Sequence, residues 1–317
     1  MFQTKVEIPQ DNQKINYESQ IMTFGSCFAE NIGRKMKEVY FKVDTNPFGV
    51  LYNPVSISNS IRLLLEAKPF TDTELFEHRG LWQSFSHSSL FSDITAERTL
   101  NKINNRFENA VDLFKQTDIL LITFGTAWVF EDQKSGRVVS NCHKLPAKQF
   151  QRRRLSVDEI VSDYSILINQ LTSQRPHLKL IFSVSPIRHW KDGAHENTIS
   201  KSTLLLAINE LQNQFNHVHY FPAYEIQMDE LRDYRFYASD MLHPSEVAID
   251  YIWQRFSETY FNELSMGMKK QFEQLQSDLS HRPLFPASEE FQKFQQFTAK
   301  RKADLLLKYP FLLSRME

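Results

Sequence analysis

The chain has 317 residues, enough to bury a sizeable core as one large domain or as a domain with an extension. Its 37 basic and 38 acidic residues leave a net charge of -1, so no global field recruits nucleic acid or an anionic membrane. The opening "MFQTKVEIPQDNQ" lacks the apolar core of a signal peptide and no later run reaches the length of a membrane span, so a soluble, cytoplasmic protein is expected, with Cys27 and Cys142 kept as reduced thiols.

From residue 20 onward, short apolar runs alternate with longer amphipathic ones, the pattern of an α/β fold with a largely parallel sheet between helical layers. The clearest strands are "IMTFG" at 21–25, "DILLITFG" at 118–125, "LKLIFSVSP" at 178–186 and "HVHYFPAYE" at 217–225, with a weaker one in "VYFKVD" at 39–44. Between them the helices read "CFAENIGRKMKE", "SISNSIRLLLEA", "SVDEIVSDYSILINQLTSQ" and "SKSTLLLAINELQNQF", three of them beginning near a serine suited to an N-cap. The unusual residues gather after the strands, where such sheets bind ligands. They are Gly25-Ser26-Cys27, Asn46-Pro47-Phe48-Gly49, Gly125, and Pro186 to Trp190.

Beyond residue 244 the pattern changes. Ile252, Phe256, Tyr260, Leu264, Met268 and Phe272 recur every four residues and predict one long helix. After a break at "SHRPLFPAS", Ser288 is positioned to cap a last helix carrying Phe291, Phe294 and Phe297. These stripes read as core or docking faces, which divides the chain into an α/β domain over 1–255 and a helical extension over 256–317, a lid or an oligomer contact.

Two stretches carry chemistry. In "TFGSCFAENIG" a hydroxyl and a thiol sit where a strand turns into a helix. A thiolate there gains from the helix dipole and the free backbone N–H groups, whereas a serine hydroxyl depends on a base. In "YASDMLHPSEVAIDYIW", Asp240 and His243 stand three apart just before a helix, the spacing at which a carboxylate can orient an imidazole that takes a proton from a nucleophile.

A small-residue turn after the first strand and an Asp-x-x-His closing the domain resemble the arrangement of the SGNH/GDSL hydrolase superfamily. More specifically, "FGSCFAENIG", "NPFG", "NCHKLP", "SVSPIRH" with "SKS", and "YFPAYEIQMDELRDYRFYASDMLHPS" resemble the blocks of the GSCFA domain family over roughly residues 20–255. The resemblance implies a three-layer α/β/α fold. Laid on the superfamily's Gly-Asp-Ser block, Gly25-Ser26-Cys27 puts Cys27 in the nucleophile position, with Ser26 as the alternative and a covalently silent, small buried cysteine as the third reading. In the third block, normally Gly-x-Asn-Asp, this chain reads "GTAW", so Ala127 leaves an oxyanion donor missing. Backbone N–H groups of Gly49 and Cys27, with Asn141 or His143, are the expected replacements.

Arg188 and His189, after the fourth strand, are candidates to hold a carboxylate, a phosphate or sugar hydroxyls; equally, Arg188 could tie Glu225 or Asp233. Cys27, Cys142, His143 and His243 fit none of the common zinc spacings, and no metal or cofactor is expected. The functional expectation is an acyl-ester hydrolase or acyltransferase, acting on a small-molecule or glycan acyl ester with an acyl thioester as a conceivable donor. The rivals are a non-catalytic ligand- or glycan-binding protein that keeps the fold, suggested by the missing Asn, and a thiol redox role, which lacks a Cys-x-x-Cys pair.

Overall fold

The computed structural model describes residues 4–10 and 14–316, so residues 1–3 and 11–13 of the stretch read for a leader lie outside it. In chain order the elements are β1 (Gln20–Gly25), α1 (Cys27–Glu38), β2 (Lys42–Thr45), α2 (Pro54–Glu66), β3 (Leu75–His78), β4 (Leu81–Ser84) and α3 (Ala96–Lys115). There follow β5 (Ile119–Phe124), β6 (Trp128–Asp132), β7 (Val138–Val139), β8 (Phe150–Arg154), α4 (Val157–Gln174), β9 (Lys179–Val184) and α5 (Gly193–Gln214). The chain continues with β10 (Val218–Phe221), a single turn α6 (Ala223–Glu225), α7 (Glu246–Tyr260), α8 (Glu263–Ser280) and α9 (Glu289–Lys308).

Five parallel strands form the central sheet in the order β10-β9-β5-β1-β2. Alternation along these buried strands divides the core. Met22, Phe24, Leu120, Ile122, Leu180 and Phe182 pack with α2, α3, α4 and α5, whereas Ile21, Ile119, Leu121 and Ile181 pack with α1, α7, α8 and α9. The protein is therefore a three-layer α/β/α sandwich with added C-terminal helices. Strand order reverses between β1 and β5, which makes the loops after Gly25 and Phe124 the switch-point crevice.

Local sequence explains most boundaries. Ser156 caps α4 through a reciprocal box with Glu159. The other serines expected to cap do not: Asn53 caps α2 ahead of Ser56, and α5 starts at Gly193, leaving Ser200 well inside it. The weak strand lies later than "VYFKVD", because Val39 closes α1 and Tyr40 takes a left-handed φ of 63°. Outside the expected elements, β3 and β4 form a hairpin, and β7-β6-β8 form a three-stranded antiparallel sheet inserted between β5 and α4.

The single long helix expected after residue 244 is two helices. Phe261 turns to an extended backbone and Asn262 caps α8 by accepting the Ser265 N–H. Ile252, Phe256, Tyr260 and Phe272 are buried, but Leu264 is 66% exposed because the break rotates it outward. The boundary expected at 255 falls within α7. Ser288 caps α9 as expected, yet Phe297 is 55% exposed and it is Leu305, Tyr309 and Leu312 that enter the core. Phe272, Leu275 and these three residues share one apolar cluster with Tyr17, Met36, Tyr40 and Phe41, so the tail is docked on the α1 face of the sandwich.

Candidate functional site

The turn from β1 into α1 is built around Gly25. Its φ is +139°, and a Cβ there would lie 2.2 Å from the Thr123 carbonyl oxygen of neighbouring β5, so only glycine lets the chain leave the sheet here. Asn46 Oδ1 accepts the Gly25 N–H at 2.9 Å and the Leu51 N–H donates to the Gly25 carbonyl at 2.9 Å, pinning the turn to the loop after β2. Ser26 is 2% exposed, and its Oγ accepts the Phe28 N–H at 3.3 Å as the helix cap. Cys27 opens the helix, half-buried, with Sγ 3.7 Å from the hydroxyl of Tyr52. The thiol thus stands at the positive end of α1 while the neighbouring hydroxyl is occupied.

In the turn before α7, Asp240 Oδ1 accepts the N–H groups of Leu242 and His243, each at 2.9 Å, and Oδ2 lies 2.5 Å from His243 Nδ1. The backbone N–H of His243, then that of Leu242, then the imidazole hold the Asp240 carboxyl down at about 2. With Nδ1 bound to a carboxylate, the imidazole carries its proton there and leaves Nε2 to accept one. Asp240 and His243 side chains are 48% and 50% exposed, so the pair faces solvent. Ser245 then caps α7 through the Ala248 N–H.

Two groups connect these halves. The Tyr52 ring meets the His189 ring edge to face at 5.6 Å. Burial pushes the His189 imidazole down to about 4, with further lowering from Lys201 and from His243, against an opposing pull from Asp192. That lowering puts His189 in the electrostatic neighbourhood of His243. Cys27, Tyr52, His189 and the Asp240–His243 pair therefore occupy the same edge of the sheet, although among the described residues no hydrogen bond joins Cys27 to His243.

The crevice floor depends on Ser200 and Lys201, which the sequence offers only as part of the "SKS" block and a cap position, with no role at the site. Lys201, 1% exposed, donates from Nζ to the carbonyls of Gly125 and Ser185 at 2.7 Å each, tying the ends of β5 and β9 together. Burial, reinforced by Arg188, pushes its ammonium down to about 7. Ser200 Oγ accepts the Ala127 N–H at 2.8 Å. The Gly125 and Thr126 N–H groups donate to the Tyr52 carbonyl at 2.8 and 2.9 Å. A lysine and serine set in the apolar run of α5 were the available signal.

Several expected site residues have other partners. The Gly49 N–H donates to the Asn46 carbonyl at 2.8 Å inside its own turn, so it does not point at the thiol. Asn141 uses Oδ1 for the His143 N–H and Nδ2 for Ser89 Oγ, and the buried His143 ring sets Nε2 2.8 Å from the Ser84 carbonyl of β4. Both serve the hairpin side of the protein rather than the thiol. Arg188 ties neither Glu225 nor Asp233. Its guanidinium donates to Asn197 Oδ1 at 3.2 Å and stacks over Trp190, while Glu225 takes the Tyr220 hydroxyl and Asp233 caps the turn at Tyr234. Arg188, Trp190, Tyr234, Tyr237 and Met241 line a pocket of about 480 Å³ that continues from Asp240. Among the described residues no group of three or more His, Cys, Asp or Glu converges as a metal site would require, and no helix is long and apolar enough to cross a membrane.

A mainly parallel sheet between helical layers, with added C-terminal helices, is the fold that the sequence blocks anticipated. The chain belongs to the GSCFA family: residues 20–256 match that family, and residues 272–317 match the C-terminal domain of GSCFA domain proteins. No curated protein matches the chain. Among solved structures, it is similar to a carbohydrate esterase family 3 protein from Talaromyces cellulolyticus, at 11% identity and TM-score 0.39, over 80% of this chain and 99% of that one. It is also similar to an acetyl xylan esterase from the rumen bacterium Butyrivibrio proteoclasticus, at 11% identity and TM-score 0.38, over 80% of this chain and 66% of that one.

Proposed function

We propose that this protein is an acyl-ester hydrolase or acyltransferase in which Cys27 is the nucleophile, His243 the proton shuttle and Asp240 the group that orients it. The observation that carries the reading is the placement of a half-buried thiol at a helix N-terminus on the sheet edge that also holds an imidazole fixed through Nδ1 by a carboxylate at 2.5 Å. In the first half-reaction the Cys27 proton passes to His243 Nε2, sulfur bonds to the acyl carbon, and the carbonyl π pair moves to oxygen. Collapse restores the carbonyl, breaks the carbon–oxygen bond to the alcohol, and returns the proton from His243 to that alcohol. Water then releases the acid, or a second hydroxyl takes the acyl group. A thioester serves as donor by the same steps, with a thiol leaving.

The pocket beside Asp240 supports a carbohydrate-sized leaving group or acceptor, since Trp190, Tyr234 and Tyr237 offer ring faces and Arg188 a guanidinium. Both free cysteines suit a reducing, cytoplasmic setting. Ala127, which brings no polar side chain to the crevice, favours the second reading, a ligand-binding protein without turnover. Mixing the protein with excess p-nitrophenyl acetate separates the two. A burst of nitrophenol near one equivalent followed by slower turnover supports the acyl-enzyme, and no release above buffer removes it.

A further inference from the structure

A tetrahedral intermediate on Cys27 needs hydrogen-bond donors aimed at its oxygen, and most groups around the crevice are committed elsewhere. The Gly49 N–H is held by Asn46, the Ala127 N–H by Ser200, and those of Gly125 and Thr126 by the Tyr52 carbonyl. The side-chain hydroxyl beside the thiol is that of Tyr52, 3.7 Å from Sγ. We infer that the Tyr52 hydroxyl donates to the oxyanion formed when Cys27 attacks an acyl carbon, acting with the Cys27 N–H. The inference rests on Cys27 being the nucleophile.

Tyr52 is built to hold this position. Its carbonyl receives two N–H groups from the β5 loop and its ring rests on His189, so backbone and ring are both fixed at the switch point between β1 and β5. An acyl carbon bonding to sulfur would bring its oxygen within reach of a hydroxyl already beside that sulfur. Burial, together with the negative charge of a Cys27 thiolate, raises the Tyr52 hydroxyl well above the ordinary tyrosine range, so it remains a donor at neutral pH. During attack it keeps its own proton and lends only the hydrogen bond, so the proton balance on His243 is unchanged. A phenol in this role suits a β5 loop in which Ala127 has no polar side chain and the Thr126 hydroxyl is taken by Ser200 and the Trp128 N–H.

Tyr52→Phe retains the ring contact with His189 and both backbone bonds, which makes it a clean test in the full-length protein. The expected result is a fall in kcat on p-nitrophenyl acetate of about 10²-fold with KM little changed, the size seen when one oxyanion donor is removed. A trifluoromethyl ketone, which forms a hemithioketal oxyanion on a cysteine, should lose affinity by a comparable factor. Alkylation of Cys27 by iodoacetamide creates no oxyanion and should stay within about 2-fold of wild type, on the same reasoning. Unchanged kcat, or alkylation falling in parallel with kcat, overturns the assignment, the second because Tyr52 would then act on the thiolate. If wild-type turnover is lost in Cys27→Ala but intact in Tyr52→Phe, the role of Tyr52 fails alone. A wild type without turnover overturns the hydrolase reading and Tyr52 with it.

Discussion

Asp240 grips His243 twice, through Oδ1 on its backbone N–H at 2.9 Å and through Oδ2 on Nδ1 at 2.5 Å. One carboxylate thus shapes the loop and fixes the imidazole. Asp240→Asn keeps an oxygen for the backbone bonds but places an amide against Nδ1, which favours the wrong tautomer. Ester turnover should fall by about 10²- to 10⁴-fold, with thermal unfolding little changed because both side chains are half exposed. Stopped assays alongside a melting curve check this, and full turnover in the folded variant would remove Asp240 from the account.

Lys201 joins two strand ends that flank the crevice, and its removal should be felt in the fold. Lys201→Met leaves the Gly125 and Ser185 carbonyls without their donor, at a cost of about 2–4 kcal/mol in denaturant unfolding. The wild type should also carry a pH signature. The unfolded lysine keeps its proton up to 10.5 and the folded one only to about 7, so the unfolded state binds more protons in that interval and stability rises with pH across it. The methionine variant should lack that rise. Equal stability of the two proteins at pH 7 contradicts the role assigned here.

Acid sensitivity should come from a different residue. Burial, and more weakly His143, push His87 down to about 3, among Phe48, Phe70 and Phe91. An unfolded His87 takes up its proton near 6.5, so between that pH and about 3 the unfolded state binds more protons and stability falls as pH falls. The full effect is on the order of 5 kcal/mol. His87→Leu should flatten the decline between pH 6 and 4 in urea titrations, and an unaltered slope would show that other groups govern it.

How far the sequence reveals this protein depends on the range of the interactions involved. β5 and β9 are buried along their whole length and β1 from Ile21 onward, and their hydrophobicity marks them. The Asp240–His243 pair lies within one turn of chain, so spacing is enough to expose it. Ser200 reads as a cap in the sequence, but α5 begins earlier at Gly193, and a residue buried inside a helix can look like one that starts it. The split at Phe261 is hidden because the four-residue stripe continues through a break of only two extended residues, Phe261 and Asn262. Tyr52 and Cys27 meet across 25 positions and Lys201 meets Gly125 across 76, contacts that only the sheet topology creates. Gly49, plausible as a donor by type, is spent inside its own turn, while the Asn141 amide and the His143 ring bond Ser89 and Ser84, 52 and 59 positions away, which spacing does not disclose.

If sulfur, not the adjacent hydroxyl, attacks the ester, two alanine variants will part sharply on p-nitrophenyl acetate. Ser26 caps α1, so Ser26→Ala should lose about 1 kcal/mol of stability and keep its turnover. Cys27→Ala should remain folded and fall to the rate of buffer, and iodoacetamide should silence the wild type by modifying Cys27 ahead of Cys142, whose thiol burial pushes up to about 11. An active Cys27→Ala protein, whether or not Ser26→Ala is dead, would contradict the account.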